Sequence, residues 1–257
     1  MKLNYKEQGS GAPLILMHGM FGSLSNLGNL ARALADDYRV ISVDLRNHGD
    51  SPHEQRMDLE AMGLDIIELM DQLCIESAAL IGHSLGGKVA MQVAMNYPAR
   101  VACMVVADIS PVTYPQQTNS PVINALEHLA KETVNSRQEA DALLTGYQID
   151  TPTKAFLLKN LYRLSTGLYG LKLNVDSIAS NYGNNLVRAP EGQSYAGPTL
   201  FVKGQNSAYI QDKHRPIIDA LFPRSQLEII DGVGHWLHAE KPQVFNSLVS
   251  GFLTANI

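Results

Sequence analysis

Six short apolar runs recur along the chain, at residues 14–17, 40–43, 78–81, 103–107, 199–202 and 227–230. Most are apolar throughout rather than alternating, which marks strands of a parallel sheet covered on both faces. A weaker run at 3–7 adds an N-terminal strand. Between the runs the spacing turns helical. Leu27, Leu30, Ala31 and Leu34 form one stripe. Leu59, Met62, Ile66, Leu69 and Leu73 form another, with Asp58 placed as its N-cap. Val89 and Val93 follow the third run, and Val244, Phe245, Leu248 and Phe252 close the chain behind Pro242. This alternation predicts an α/β fold with a doubly wound, mostly parallel sheet.

The alternation breaks between residues 112 and 195. That stretch carries helical spacing, as in Phe156, Leu157, Leu161 and Leu164, without convincing strands, and it is too long for a structureless loop. Residues 1–111 and 196–257 therefore read as one core, and 112–195 as a helical cap inserted before the last two strands, over the C-terminal edge of the sheet.

A length of 257 residues is enough for one such domain with a sizeable core. The net charge of −5, with no basic cluster, argues against nucleic acid and against an anionic membrane as partner. The N-terminal MKLNYKEQGSG is polar, and the apolar run behind it is too short for a signal segment or a membrane span. Cys74 and Cys103 lie in apolar sequence and are expected to be reduced and buried. The expectation is a soluble cytoplasmic protein; oligomeric state leaves no legible signal.

The chemistry centres on IGHSLGGKV, residues 81–89, which fits two motifs. Gly82, Gly87 and Lys88 match a phosphate-binding loop, but that loop needs a Ser or Thr after the Lys to hold magnesium, and the position is Val89. Gly82, Ser84 and Gly86 match G-x-S-x-G, in which the serine stands on a strained strand-to-helix turn as a nucleophile. The glycines leave the turn free of side chains, and the helix opening near Leu85 aims its N-terminal amides at Ser84. On this reading Lys88 is a solvated helix residue.

Two further motifs support the elbow. MHGMFG ends the first apolar run, where a second oxyanion donor belongs. That donor is the backbone N–H of Met20, with Phe21 as the weaker alternative, joined by the N–H of Leu85. DGVGHWLHAEKP places His235 after the last strand as the base for Ser84. His18 and His83 flank the turns and read as structural, and His238 as a packing or polar-network residue. H-E-x-x-H and zinc-spaced cysteine pairs are both missing, so metal catalysis has no support.

With these residues in place, the chain resembles the α/β-hydrolase superfamily along nearly its full length. The combination HGMFGSLSNLG, DLRNHGDS, GHSLGGK and GHWLHAEKP is similar to the YbfF-type small bacterial esterases. FLLKNL and LKLNVDSI carry the likeness into the cap. The resemblance implies a serine carboxylesterase acting on small acyl esters or acyl thioesters, with a helical cap and no cofactor. Phe21, Phe156, Leu157, Tyr162 and Leu164 are candidates to line its acyl pocket.

The chain departs from the wider superfamily at the triad acid. The usual place, after the 199–202 strand, reads Gly204-Gln205-Asn206-Ser207. Asp108 is the first residue past the 103–107 strand, which should lie beside the nucleophile strand and end at the same sheet edge, so Asp108 is the expected acid. The YbfF-type esterases resemble this arrangement. Asp212 and Asp231 are its competitors. A C–C bond hydrolase, a lyase or a synthase could use the same three groups, and a receptor could keep the fold without turnover.

Overall fold

The computed structural model describes residues 1–115 and 120–257. Its main sheet has seven strands: β1 (Tyr5–Gln8), β2 (Ala12–Met17), β3 (Tyr38–Val43), β4 (Ala78–His83), β5 (Val101–Ala107), β8 (Thr199–Gly204) and β9 (Ser225–Ile230). They stand in the order β1-β3-β2-β4-β5-β8-β9. Only β1 is antiparallel to its neighbour; the other pairs are parallel.

The apolar runs form strands because both sheet faces are covered. Successive residues point to opposite faces, so β2 sends Ile15 and Met17 into one core and Leu14 and Leu16 into the other. β4 divides in the same way, with Leu80 on the first side and Ala79 and Ile81 on the second. On the first side pack α2 (Leu59–Gln72) and α3 (Leu85–Asn96); on the second pack α1 (Gly28–Leu34) and α10 (Pro242–Asn256). Asp58 caps α2 by accepting the Ala61 N–H at 2.8 Å. Behind that cap, the buried Arg46 guanidinium meets Asp65 through two bonds of 2.6 and 2.8 Å.

Between β5 and β8 the described residues form α4 (Pro121–Lys131), α5 (Arg137–Thr145), α6 (Thr151–Leu157) and α7 (Val175–Asn181). A correction belongs here. The stretch expected to lack strands holds a small antiparallel ribbon, β6 (Leu161–Arg163) paired with β7 (Tyr169–Leu171). Three-residue strands are too short to show a period in sequence. Residues 116–119 of the expected cap lie outside the described residues. Past β8 comes α8 (Arg215–Leu221), and past β9 the short α9 (Leu237–Glu240). No helix of the described residues is long and apolar enough to cross a membrane.

Cys103 is buried as expected, whereas Cys74 is exposed. Cys74 follows the end of α2 in the left-handed region, φ 54°, which turns it off the apolar stripe.

The parallel strands bring several turns to one edge. Met17 pairs with Gly82 and His83 with Ala107, so the residues just beyond β2, β4 and β5 are neighbours. There, the approach of α3 to β2 leaves no space for a side chain at Gly86, where a Cβ would lie 2.3 Å from the Met17 carbonyl oxygen. The obstacle is backbone of a central strand, which cannot swing aside. Gly86→Ala is therefore expected to lower folding stability by about 3 kcal/mol or more, read as a drop in the urea midpoint; an unchanged midpoint would contradict this close approach.

Candidate active site

Ser84 sits between β4 and α3 with φ 52° and ψ −115°. This backbone region is costly for a residue with a side chain, and the turn is held by its surroundings. The Ser84 N–H donates to the Ala107 carbonyl at 2.9 Å. A Cβ at Gly82 would fall 2.1 Å from the Gly86 carbonyl oxygen, so the two glycines permit the reversal together.

Ser84 Oγ stands 3.0 Å from His235 Nε2, and His235 Nδ1 stands 2.6 Å from Asp108 Oδ2. The arrangement fixes the tautomer: with its proton on Nδ1 facing the carboxylate, the ring turns a lone pair toward the serine hydroxyl. Tyr209 stacks on the His235 ring at 4.1 Å between centroids. His83 lies 4.7 Å from it and donates Nε2–H to the His235 carbonyl oxygen at 2.9 Å.

Asp108 is fully buried, with φ 53°. Its Oδ1 accepts the Gly204 N–H at 3.1 Å, and its Oδ2 accepts the Ser207 hydroxyl. Ser207 thus stands in the turn after β8 where an acid would be looked for, and it bonds to the Asp108 carboxylate, which comes from the neighbouring strand. The departure at Gly204–Ser207 was the only sequence signal for this contact. Neither Asp212 nor Asp231 forms a hydrogen bond or ion pair with His235, whose ring nitrogens meet Asp108 and Ser84; the Asp231 carbonyl oxygen accepts from Lys241 Nζ at 2.7 Å.

The turn after β2 closes the other side. A Cβ on Gly19 would come within 3.3 Å of Ser84 Cβ, so this turn abuts the serine. Phe21, at φ 61°, donates its N–H to His48 Nε2 at 3.1 Å. The Met20 N–H meets no acceptor among the described residues. Leu85 opens α3, where a helix leaves its first amides without internal partners. His18 supports the turn from below: Nδ1–H donates to the Gly19 carbonyl at 2.7 Å and Nε2 accepts the Leu45 N–H at 3.1 Å.

These groups open onto a cavity of about 730 Å³, lined by Met20, Phe21, Ser84, Leu85 and His235 from the sheet edge. Phe156 and Leu157 of α6 line it from the intervening segment, with Tyr182 and Leu186. Two expected pocket residues are elsewhere. Tyr162 and Leu164 are 40% and 36% exposed and do not border the cavity. In β6 the strand alternation buries Leu161 and turns Tyr162 outward over Gly170, and the helical spacing read through Leu164 does not persist past residue 160.

Lys88 is a further correction: expected in solvent, it is 2% exposed. Its ammonium donates to the carbonyls of Leu186, Val187 and Arg188 at 3.4, 2.8 and 2.5 Å, and burial pushes its pKa down to about 7. The 4.9 Å approach of Nζ to the Tyr114 ring adds a cation–π contact.

With this geometry established, comparison with known proteins places the chain. A family model described as alpha/beta hydrolase fold matches residues 12–242. The chain belongs to the α/β-hydrolase family. Among curated relatives, esterase YbfF of Escherichia coli is 34% identical, over 98% of this chain and 99% of that protein. The mouse sn-1-specific diacylglycerol lipase ABHD11 is 38% identical, over 93% of this chain and 80% of its own. Among solved structures, a marine microorganism esterase superposes with a TM-score of 0.91 at 38% identity, covering 98% of this chain and 99% of that one. The likeness to YbfF-type esterases therefore extends over nearly the whole chain.

The support under the Met20 turn titrates. Burial lowers the pKa of His18 to about 4; burial, aided by His18, lowers that of His48 to about 3. Both must stay neutral to accept the Leu45 and Phe21 amides. The unfolded chain, with histidines near 6.5, binds protons first as pH falls, so this pair's contribution to stability is fully present above about 6.5 and is lost progressively below it. The thermal midpoint is expected to fall between pH 6.5 and 5, above the range where carboxylates titrate. A midpoint flat to pH 5 would contradict the burial of this pair.

Proposed function

We propose that this chain is a serine carboxylesterase that hydrolyses small acyl esters, or acyl thioesters, through an acyl-enzyme on Ser84. The observation that carries the reading is the unbroken hydrogen-bonded line from Ser84 Oγ through His235 to the buried Asp108, opening onto the cavity. Its agreement with relatives named esterase and lipase supports it.

In this reading Ser84 Oγ attacks the acyl carbonyl carbon while His235 Nε2 takes the hydroxyl proton. Asp108 holds the ring and stabilises the imidazolium. The carbonyl oxygen becomes an oxyanion between the N–H groups of Met20 and Leu85, preorganised donors whose transition-state stabilisation is worth roughly 3 kcal/mol each in comparable enzymes. Met20 is preferred to Phe21 because the Phe21 amide is already given to His48. The tetrahedral centre then collapses, the C–O or C–S bond breaks, and His235 hands its proton to the departing oxygen or sulfur. Water repeats the cycle on the acyl-enzyme and releases the acid. Every step uses protein groups and water. Residues 112–195 serve as the cap, with Phe21, Phe156 and Leu157 offering apolar contact to the substrate. A cytoplasmic location belongs to the same proposal, supported by two cysteines that are both free.

The purified protein is expected to hydrolyse short p-nitrophenyl esters with a chelator present and to be labelled at Ser84 by a fluorophosphonate. Ser84→Ala should lower kcat by roughly 10⁶-fold with the fold intact, and Asp108→Asn by up to roughly 10⁴-fold. Ester hydrolysis that survives Ser84→Ala would remove the serine from the reaction; a collapse with Asp212→Asn but not with Asp108→Asn would move the acid.

A further inference from the structure

Within one turn of His235 stands a second histidine that no step above uses. His238, in α9, is 8% exposed and borders the cavity beside His83 and Trp236. Its ring lies 4.4 Å from that of His83, which itself stands 4.7 Å from His235. Phe245 closes the far side at 6.2 Å, edge to face. None of these neighbours bonds to it. Nδ1 is sealed from solvent and has no partner, and no described residue bonds to Nε2. A polar side chain buried this deeply normally has a partner, and leaving one unmade is costly.

The tautomer follows from burial. Withdrawal from water, reinforced by His235, pushes the pKa of His238 down to about 4, so the ring is neutral near pH 7 and carries one N–H. A sealed N–H with no acceptor is penalised more than a sealed lone pair. The proton therefore sits on Nε2, the nitrogen that is not sealed in, and a single donor is presented from the wall of the cavity.

We infer that His238 is a specificity-determining residue whose Nε2–H donates to an acceptor oxygen, ether or hydroxyl, in the alcohol portion of the ester. This rests on the esterase reading. The side is set by His235, which delivers its proton to the departing oxygen and so has the alcohol portion against it and the turn that follows. One imidazole separates the two rings, so the recognised oxygen lies a few bonds beyond the scissile one.

The test uses pairs of esters that differ by one oxygen in place of a methylene. Butyl acetate and 2-methoxyethyl acetate probe the alcohol side; ethyl pentanoate and ethyl 3-methoxypropanoate probe the acyl side. Comparing each variant with wild type cancels the intrinsic reactivity of each ester. His238→Phe should lower the preference for 2-methoxyethyl over butyl acetate by about tenfold, the worth of one hydrogen bond, chiefly through KM. It should leave the acyl-side preference alone. His238→Gln, whose amide restores a donor, should recover part of the loss. Each preference is a ratio within one enzyme, so a variant with a reduced folded fraction still reports it. An alcohol-side preference unchanged in His238→Phe overturns the inference, as does a loss confined to the acyl pair or one that His238→Gln does not mend. Wild type that hydrolyses none of the four esters would sink the esterase reading itself, a different result from hydrolysis with no dependence on His238.

Discussion

A carboxylate sealed from water is the constraint around which this site is built. Asp108 has no exposed surface, and an anion in that position costs several kcal/mol unless its oxygens are paired. Its partners come from two separate stretches: the Gly204 amide and Ser207 hydroxyl at and just beyond the end of β8, and His235 after β9. They converge only because β8 pairs with β5 on one side and β9 on the other. Removing any of these partners would leave charge uncompensated in a dry setting, which is more damaging than the loss of an exposed ion pair. The same constraint orients the imidazole. With Oδ2 already accepting from Ser207, the carboxylate is fixed in rotation and His235 meets it along one direction.

The strain at Ser84 is paired with a similar strain at Asp108. Both have φ near +50°, at 52° and 53°, and each is the first residue past a strand end. Such conformations cost about 1–3 kcal/mol apiece and survive only where the surroundings over-determine them. Here each is held by the strand beside it: the Ser84 amide bonds to the last carbonyl of β5, and the Asp108 amide bonds to Val202 of β8 at 2.8 Å. Adjacent parallel strands thus project two functional groups at one edge, held by ladder hydrogen bonds that continue one residue past each strand. Between them stands His235, on a loop that owes its place to its contacts more than to any strand.

The sheet was legible because a strand buried on both faces has to be apolar throughout, and β2, β4 and β5 are. The meeting of Ser84 and His235 was legible because a sharp turn demands glycines at fixed offsets and the loop after the last strand ends at the same sheet edge. Asp108 could be reached by neighbour order in a parallel sheet. Other features had no local signal. Ser207 reads as a missing acid, and its role becomes visible only when β5 and β8 are side by side. The β6–β7 ribbon is too short to show alternation, so a helical reading ran through Leu161 and carried Tyr162 and Leu164 inward, where the ribbon turns them out. Pocket walls depend on how distant segments meet, and that information is spread over many weak contacts.

Lys88 shows how one tertiary contact decides between two readings of the same nine residues. In a phosphate-binding loop the lysine extends over the loop toward its ligand, drawn by negative charge. Here the ammonium turns instead toward the carbonyl ends of Leu186, Val187 and Arg188, just past the helical turns that follow α7. Three donors meeting three carbonyl oxygens satisfy a cation with no carboxylate, and they tie α3 to the segment across the cavity. The Gln92 amide reinforces the link, exchanging bonds with Glu191 at 2.7 and 3.0 Å. A lysine one residue beyond the glycines of an elbow can therefore serve as a fastening rather than as part of a loop. Its side chain links the helix that begins just after Ser84 to the Leu186–Arg188 stretch, of which Leu186 and Val187 border the cavity.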